Sequence, residues 1–289
     1  MSIKLENVVY TYMQGTPYER VALQNINLEI HPGEFIGIIG HTGSGKSTLI
    51  QHFNGLLKPT SGCVRIDDID LHQNKKLAKQ AKRKVGMVFQ YPEHQLFEET
   101  VFADIAFGPR NLGLSEEEVD FRVRKAMQFV GLNYDTVADR SPFQLSGGQM
   151  RRIAIAGVIA TEPEYLILDE PSAGLDPRGR REIFSQIKNL HAAAGNAVVL
   201  VTHNMEDVLQ VATRLIVMSE GRILLDDKPE TLFWNYHEQL VSVGVDVPHI
   251  ISLLKKLRAA GLAVGECQLT VEAAATAICE ALGGQSRAE

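Results

Sequence analysis

An α/β fold built around a parallel sheet is predicted by three observations. Four short apolar runs recur along the chain, helical patterns fall between several of them, and the first run ends at a glycine. Ile3 to Tyr10 alternates loosely and reads as a strand. Phe35 to Ile39 (FIGII) is apolar throughout, as a central strand covered on both faces must be. Val85 to Phe89 (VGMVF), Tyr165 to Leu168 (YLIL) and Ala197 to Val201 (AVVLV) share that character.

The stretch from about Pro92 to Gly157 differs, being mostly helical in pattern. Ser115 followed by Glu116, Glu117 and Glu118 is a helix start, with a capping hydroxyl and acids facing the positive end of the helix dipole. Residues 92–157 therefore read as a helical insert between two core strands. The pattern changes again after about Gly221. Pro248 to Leu257 and Val271 to Leu282 read as short amphipathic helices, and in the second Val271, Ala275, Ile278 and Leu282 are expected to share a face. The boundaries that follow are one domain over 1–222 and a small C-terminal domain over 223–289.

With 289 residues and 45% apolar content, the chain can bury a full core. A formal charge of −6 argues against nucleic acid as a partner, since phosphate neutralisation calls for a basic face. Cys63, Cys267 and Cys279 form no CxxC pair, so free thiols are expected. MSIKLENVVY has no apolar stretch of signal-peptide type. The longest span candidate, Ile153 to Ala160, falls far short of the roughly 20 apolar residues a membrane crossing needs. A membrane role would have to come through a partner.

Chemistry begins directly after FIGII. Gly40-His41-Thr42-Gly43-Ser44-Gly45-Lys46-Ser47-Thr48 fits GxxxxGK[ST], the P-loop. Glycines let the backbone fold tightly, so successive N–H groups converge on phosphate oxygens, and the following helix adds its positive end. Lys46 is expected at the β- and γ-phosphates and the Ser47 hydroxyl on Mg²⁺. Asp169 and Glu170 end the YLIL strand. Asp169 is expected to hold the metal through water, and Glu170 to accept a proton from, or orient, the attacking water.

Leu145-Ser146-Gly147-Gly148-Gln149 reads as a second anion cradle, in which Ser146 and the two glycines open a helix toward a phosphate. A five-residue match arises by chance about once in 10⁶ positions. LSGGQ, downstream of GHTGSGKST and ahead of Asp169-Glu170, resembles the ATP-binding cassette (ABC) proteins over roughly residues 1–225. That resemblance implies a P-loop NTPase fold with a parallel-sheet core, an antiparallel β subdomain and a helical subdomain. It implies that Tyr12 stacks on adenine, that Gln90 senses Mg²⁺ and the γ-phosphate, that Ser172 to Asp176 form the D-loop, and that His203 is the switch histidine. It further implies a head-to-tail dimer, in which ATP is clamped between the P-loop of one subunit and the Ser146–Gln149 cradle of the other.

GHTGSGKSTLIQHFNGLLKPTSG, VFQYPEHQLFEETVFADIAFGPRNLGL and SPFQLSGGQMRRIAIAGVIA resemble the ATPases of energy-coupling factor (ECF) transporters, specifically the second, A-prime type. Ser172 departs from the more frequent Thr but keeps the hydroxyl. The implied partners are a paralogous ATPase, a transmembrane coupling subunit and a substrate-binding membrane subunit, at the cytoplasmic face of the membrane. The tail is implied to serve dimerisation. Glu93 to Glu99, directly after Gln90, is expected to offer a groove in which Leu96 and Phe97 bury against a coupling helix and the acids meet its arginines. Two alternatives differ in partner. One is the ATPase of a conventional binding-protein-dependent importer. The other is a soluble ABC ATPase of DNA repair, chromosome structure or translation, disfavoured because only 99 residues separate Lys46 from Leu145, too few for a long coiled coil.

Overall fold

The computed structural model describes residues 1–265 and 270–285. The chain opens with the antiparallel pair β1 (Ile3–Tyr12) and β2 (Arg20–Ile30), then enters β3 (Phe35–Ile39), the phosphate loop and α1 (Lys46–Phe53). Strands β4 (Ser61–Ile66) and β5 (Ile69–Asp70) follow, then α2 (Lys75–Lys82) and β6 (Val85–Val88). A helical stretch holds α3 (Val101–Asn111), α4 (Glu116–Phe129), α5 (Tyr134–Val137) and α6 (Gly147–Ile159). The chain returns through β7 (Tyr165–Asp169), α7 (Pro177–Ala194), β8 (Ala197–Val201), α8 (Met205–Val211), β9 (Arg214–Ser219) and β10 (Arg222–Asp227). Four helices close it: α9 (Pro229–Asn235), α10 (His237–Ser242), α11 (His249–Ala259) and α12 (Val271–Gln285).

Two sheets result. One is antiparallel, in the order β2-β1-β4-β5; the other runs β10-β9-β3-β8-β7-β6 and is parallel except at β10. The continuous apolar character of YLIL has a direct cause. Leu166 and Leu168 point into a core shared with Val123 and Ile153 of the helical stretch, while Tyr165 and Ile167 point into a core shared with Leu5, Leu23 and Phe53. Period-two alternation between two buried faces leaves no polar position.

Phe53 seats α1, and with it the phosphate loop, between the two sheets, and it is fully buried there. Phe53→Ala should cost about 3–5 kcal/mol, read as a lowered urea midpoint with the slope unchanged. An unchanged midpoint would contradict this packing.

The helices after residue 223 draw their core from the main body. Leu232, Phe233, Leu240, Val245, Ile251 and Leu254 share one cluster with Ile39, Leu215 and Val217 of the parallel sheet. The face expected for the last helix is corrected. Ala274 is fully buried, with Ile278 and Ala281 packed beside it, whereas Val271, Ala275 and Leu282 are exposed. The seam is thus rotated about one position from the expected one, and Ile278 alone is shared. Ser115 caps α4 as expected, accepting from the Glu118 N–H. Cys63 and Cys279 are free thiols, while Cys267 lies outside the described residues. Among the described residues no helix is long and apolar enough to cross a membrane.

Candidate nucleotide site

Loops leaving the C-terminal ends of β3, β6, β7 and β8 converge on one cavity of about 990 Å³, the position where open parallel sheets bind ligands. Gly40, His41, Thr42, Gly43, Gly45, Lys46, Ser47, Thr48, Gln90, Asp169, Glu170, His203 and Tyr12 all line it. Ser44 does not; it is fully buried behind the loop. Two glycines are required by geometry. Gly40 has φ +152°, and a Cβ there would stand 2.3 Å from the Met218 carbonyl oxygen. Gly45 has φ +103°, and its Cβ would stand 2.7 Å from the Ala22 carbonyl oxygen. The loop therefore folds against backbone from β2 and β9.

Lys46 donates from Nζ to the Gly40 and His41 carbonyls, at 2.6 and 3.1 Å. Burial pulls its pKa down, while Glu170 and Asp169 push it up. The Tyr12 hydroxyl lies 3.2 Å from Thr48 Oγ1, and the Tyr12 ring meets Tyr10 edge-on at 4.8 Å, so a half-exposed aromatic is braced at the rim. Glu170 adopts φ +49° and its N–H donates to the Val201 carbonyl. Its two carboxylate oxygens are both engaged: Gln90 Nε2 donates to Oε2 at 3.1 Å, and His203 Nδ1 stands 3.1 Å from Oε1. Residues 80 and 33 positions away from Glu170 thus meet on one side chain.

Asp169 is 8% exposed, and its carboxyl is pushed up to about 6. Burial is the main cause and neighbouring Glu170 adds to it; the Ser47 hydroxyl and Lys46 oppose. A raised acid pKa means the folded chain holds more protons than the unfolded one between the ordinary value of 3.8 and about 6. Stability from this group is therefore present at low pH and lost as pH rises through that window. In EDTA, the stability of the chain relative to Asp169→Asn should fall by at most about 3 kcal/mol from pH 4 to pH 6. A flat difference in melting free energy would contradict the buried placement of Asp169.

Ser146, Gly147, Gly148 and Gln149 lie elsewhere, at the N-terminus of α6, and none lines the cavity. Ser146 and Gln149 form a reciprocal capping box: the Gln149 N–H donates to Ser146 Oγ, and the Ser146 N–H donates to Gln149 Oε1. Gly147 and Gly148 are exposed, and a Cβ added at either would meet nothing within 4 Å, so this helix end is open.

Two buried charged residues escaped the sequence reading. Arg151, 3% exposed, donates to the Ala173 carbonyl and, at 3.4 Å, to the Glu170 carbonyl. It ties the helix behind Ser146 to the backbone of Glu170. Asp207, 2% exposed, pairs with Arg180 at 2.7 Å and accepts from Ser172 Oγ at 3.4 Å. The signal for Arg151 was a cation inside the apolar helix pattern MRRIAIA; Asp207 gave none. One expectation about the segment after Gln90 is corrected. Leu96 is buried in the chain's own core, and the exposed apolar pair is Phe97 with Phe107, edge-on at 4.9 Å.

A phosphate-loop cradle, a carboxylate held by two distant side chains and an open capped helix end are what the resemblance to ATP-binding cassettes implies. The model of the ABC transporter family matches residues 23–173. The chain is 56% identical to the energy-coupling factor transporter ATP-binding protein EcfA2 of Clostridium tetani, with 95% of both chains covered. It is 54% identical to the same-named protein of Clostridium perfringens, covering 97% of this chain and 98% of that one. Among solved structures, cbiO1 of Clostridium perfringens, described as part of the ABC transporter complex cbiONQ, superposes with TM-score 0.72 at 38% identity, covering 88% and 98%. A dimeric ATP-binding cassette in a post-hydrolysis state with ADP and Pi superposes with TM-score 0.71 at 33% identity, covering 78% and 98%. The chain belongs to the energy-coupling factor transporter ATP-binding proteins of the ABC family.

Proposed function

We propose that this chain binds ATP with Mg²⁺ and hydrolyses it to energise an ECF-type importer of vitamins or similar micronutrients. The observation that carries the hydrolytic reading is the Glu170 carboxylate, held by Gln90 and His203 at the mouth of a phosphate cradle. The β- and γ-phosphates would replace the loop carbonyls as partners of Lys46, and Tyr12 would face adenine. Glu170 accepts the proton of a water as that water's oxygen bonds to the γ-phosphorus. The bond from γ-phosphorus to the bridging oxygen breaks, and its electron pair stays on ADP.

The donor set fits Mg²⁺. Ser47, Gln90 and Asp169 supply a hydroxyl, a carboxamide and a carboxylate to one cavity, the oxygen ligands this ion takes. The cavity's charged side chains are Arg20 and Lys46 against Asp169, Glu170, Glu220 and Asp246, so a bare triphosphate would meet excess negative charge. When bound, the ion neutralises charge on the phosphate oxygens.

The partners proposed are a second, paralogous ABC ATPase head-to-tail, a transmembrane coupling subunit and a substrate-binding membrane subunit, at the cytoplasmic face of the membrane. The open end at Ser146, which lines no part of this chain's own cavity, supports completion of another subunit's site. The exposed Val271, Ala275 and Leu282 of the last helix support a dimerisation role for the tail. Phe97, Phe107, Glu98 and Glu99 support a seat for a basic, apolar coupling helix. Charge reversal of Glu98 and Glu99 should abolish co-purification with the membrane subunits and transport. Normal transport would end that assignment. The reading as a whole is tested by Mg²⁺-dependent phosphate release from the native complex.

A further inference from the structure

One wall of the cavity comes from none of the motif loops. Gly244, Val245 and Asp246, in the turn between α10 and α11, line the cavity beside His41. The turn is closed by backbone bonds from the Gly244 N–H to the Val241 carbonyl and from the Val245 N–H to the Leu240 carbonyl, both at 3.0 Å. Gly244 has φ +70°, and a Cβ there would stand 3.8 Å from the His41 Cβ, so C-terminal backbone approaches the phosphate loop closely. Val245 is 4% exposed and packs in the cluster that holds Ile39, the residue immediately before Gly40. Asp246 is exposed at the rim. A phosphate entering this cavity brings negative charge toward an acid fixed to the C-terminal helices.

The same cluster contains Trp234, the chain's single tryptophan, 8% exposed on α9. Lys255 Nζ and Arg258 Cζ of α11 stand 5.7 and 5.5 Å from its ring centre. Movement of α11 against α9 alters that cation contact and hence the indole environment.

We propose that the Gly244–Asp246 turn is a nucleotide-sensing wall, in which Asp246 positions the C-terminal helices according to the phosphate charge in the cavity. The proposal rests on the nucleotide reading and deepens it by assigning the tail a response to occupancy. Asp246 is a positioning residue, acting through Val245 on the shared cluster.

The test uses the full chain, titrated with ADP and Mg²⁺, with binding heat and Trp234 emission recorded in parallel. Emission is expected to change with the midpoint of the heat. In Asp246→Asn the change per bound nucleotide should fall about threefold or more, and Asp246→Glu should restore it. Binding heat with silent Trp234 overturns this inference alone. A wild-type response per bound nucleotide in Asp246→Asn overturns it too. No binding heat in any variant overturns the nucleotide reading itself, and this inference with it.

Discussion

Glu170→Gln should bind ATP and fail to cleave it, with hydrolysis at least about 100-fold below wild type. The carboxamide keeps the size and one acceptor oxygen of the carboxylate, so the Gln90 contact at 3.1 Å has a partner left. Lost are the charge and the basicity that take a proton from water. Binding energy is then collected without the step that releases it, and the nucleotide-clamped dimer should accumulate. Phosphate release measures the first effect, and size-exclusion chromatography with ATP the second. Wild-type turnover in this variant would remove Glu170 from its assigned role.

Lys46→Ala acts earlier and on binding. The ammonium is the cation placed deepest in the cradle, half-buried and already partly desolvated. Removing it leaves the phosphates without that charge-assisted partner, a loss of about 2–5 kcal/mol, or roughly 30-fold and more in affinity. Lys46→Arg should not rescue, because a broad planar guanidinium cannot enter a space that a compact ammonium fills between the Gly40 and His41 carbonyls. Calorimetry with ATP reads both variants. Wild-type affinity in Lys46→Ala would sink the cradle reading.

The parallel strands were legible because burial on both faces removes every polar residue from FIGII and YLIL, a pattern that little else in a chain produces. The phosphate loop was legible because Gly40 and Gly45 occupy conformations closed to other residues. What stayed hidden depended on packing between distant segments. Nothing near Asp207 announces that Arg180 and Ser172 converge on it. Leu96 and Phe97 are adjacent and equally apolar, yet only the fold decides that one enters the core and the other stays outside. The last helix shows the same limit. Its alanine-rich sequence offers two overlapping apolar stripes, and contact with the body selects the one through Ala274. The approach of Gly244 to His41 joins residues 203 positions apart, beyond any local pattern.

The grip of Gln90 and His203 on Glu170 ties one side chain to two separate segments. Both carboxylate oxygens are engaged, so a water brought to Glu170 must share or displace one of these contacts. A displacement of the segment that carries Gln90, or of the one that carries His203, would therefore change what Glu170 can hold.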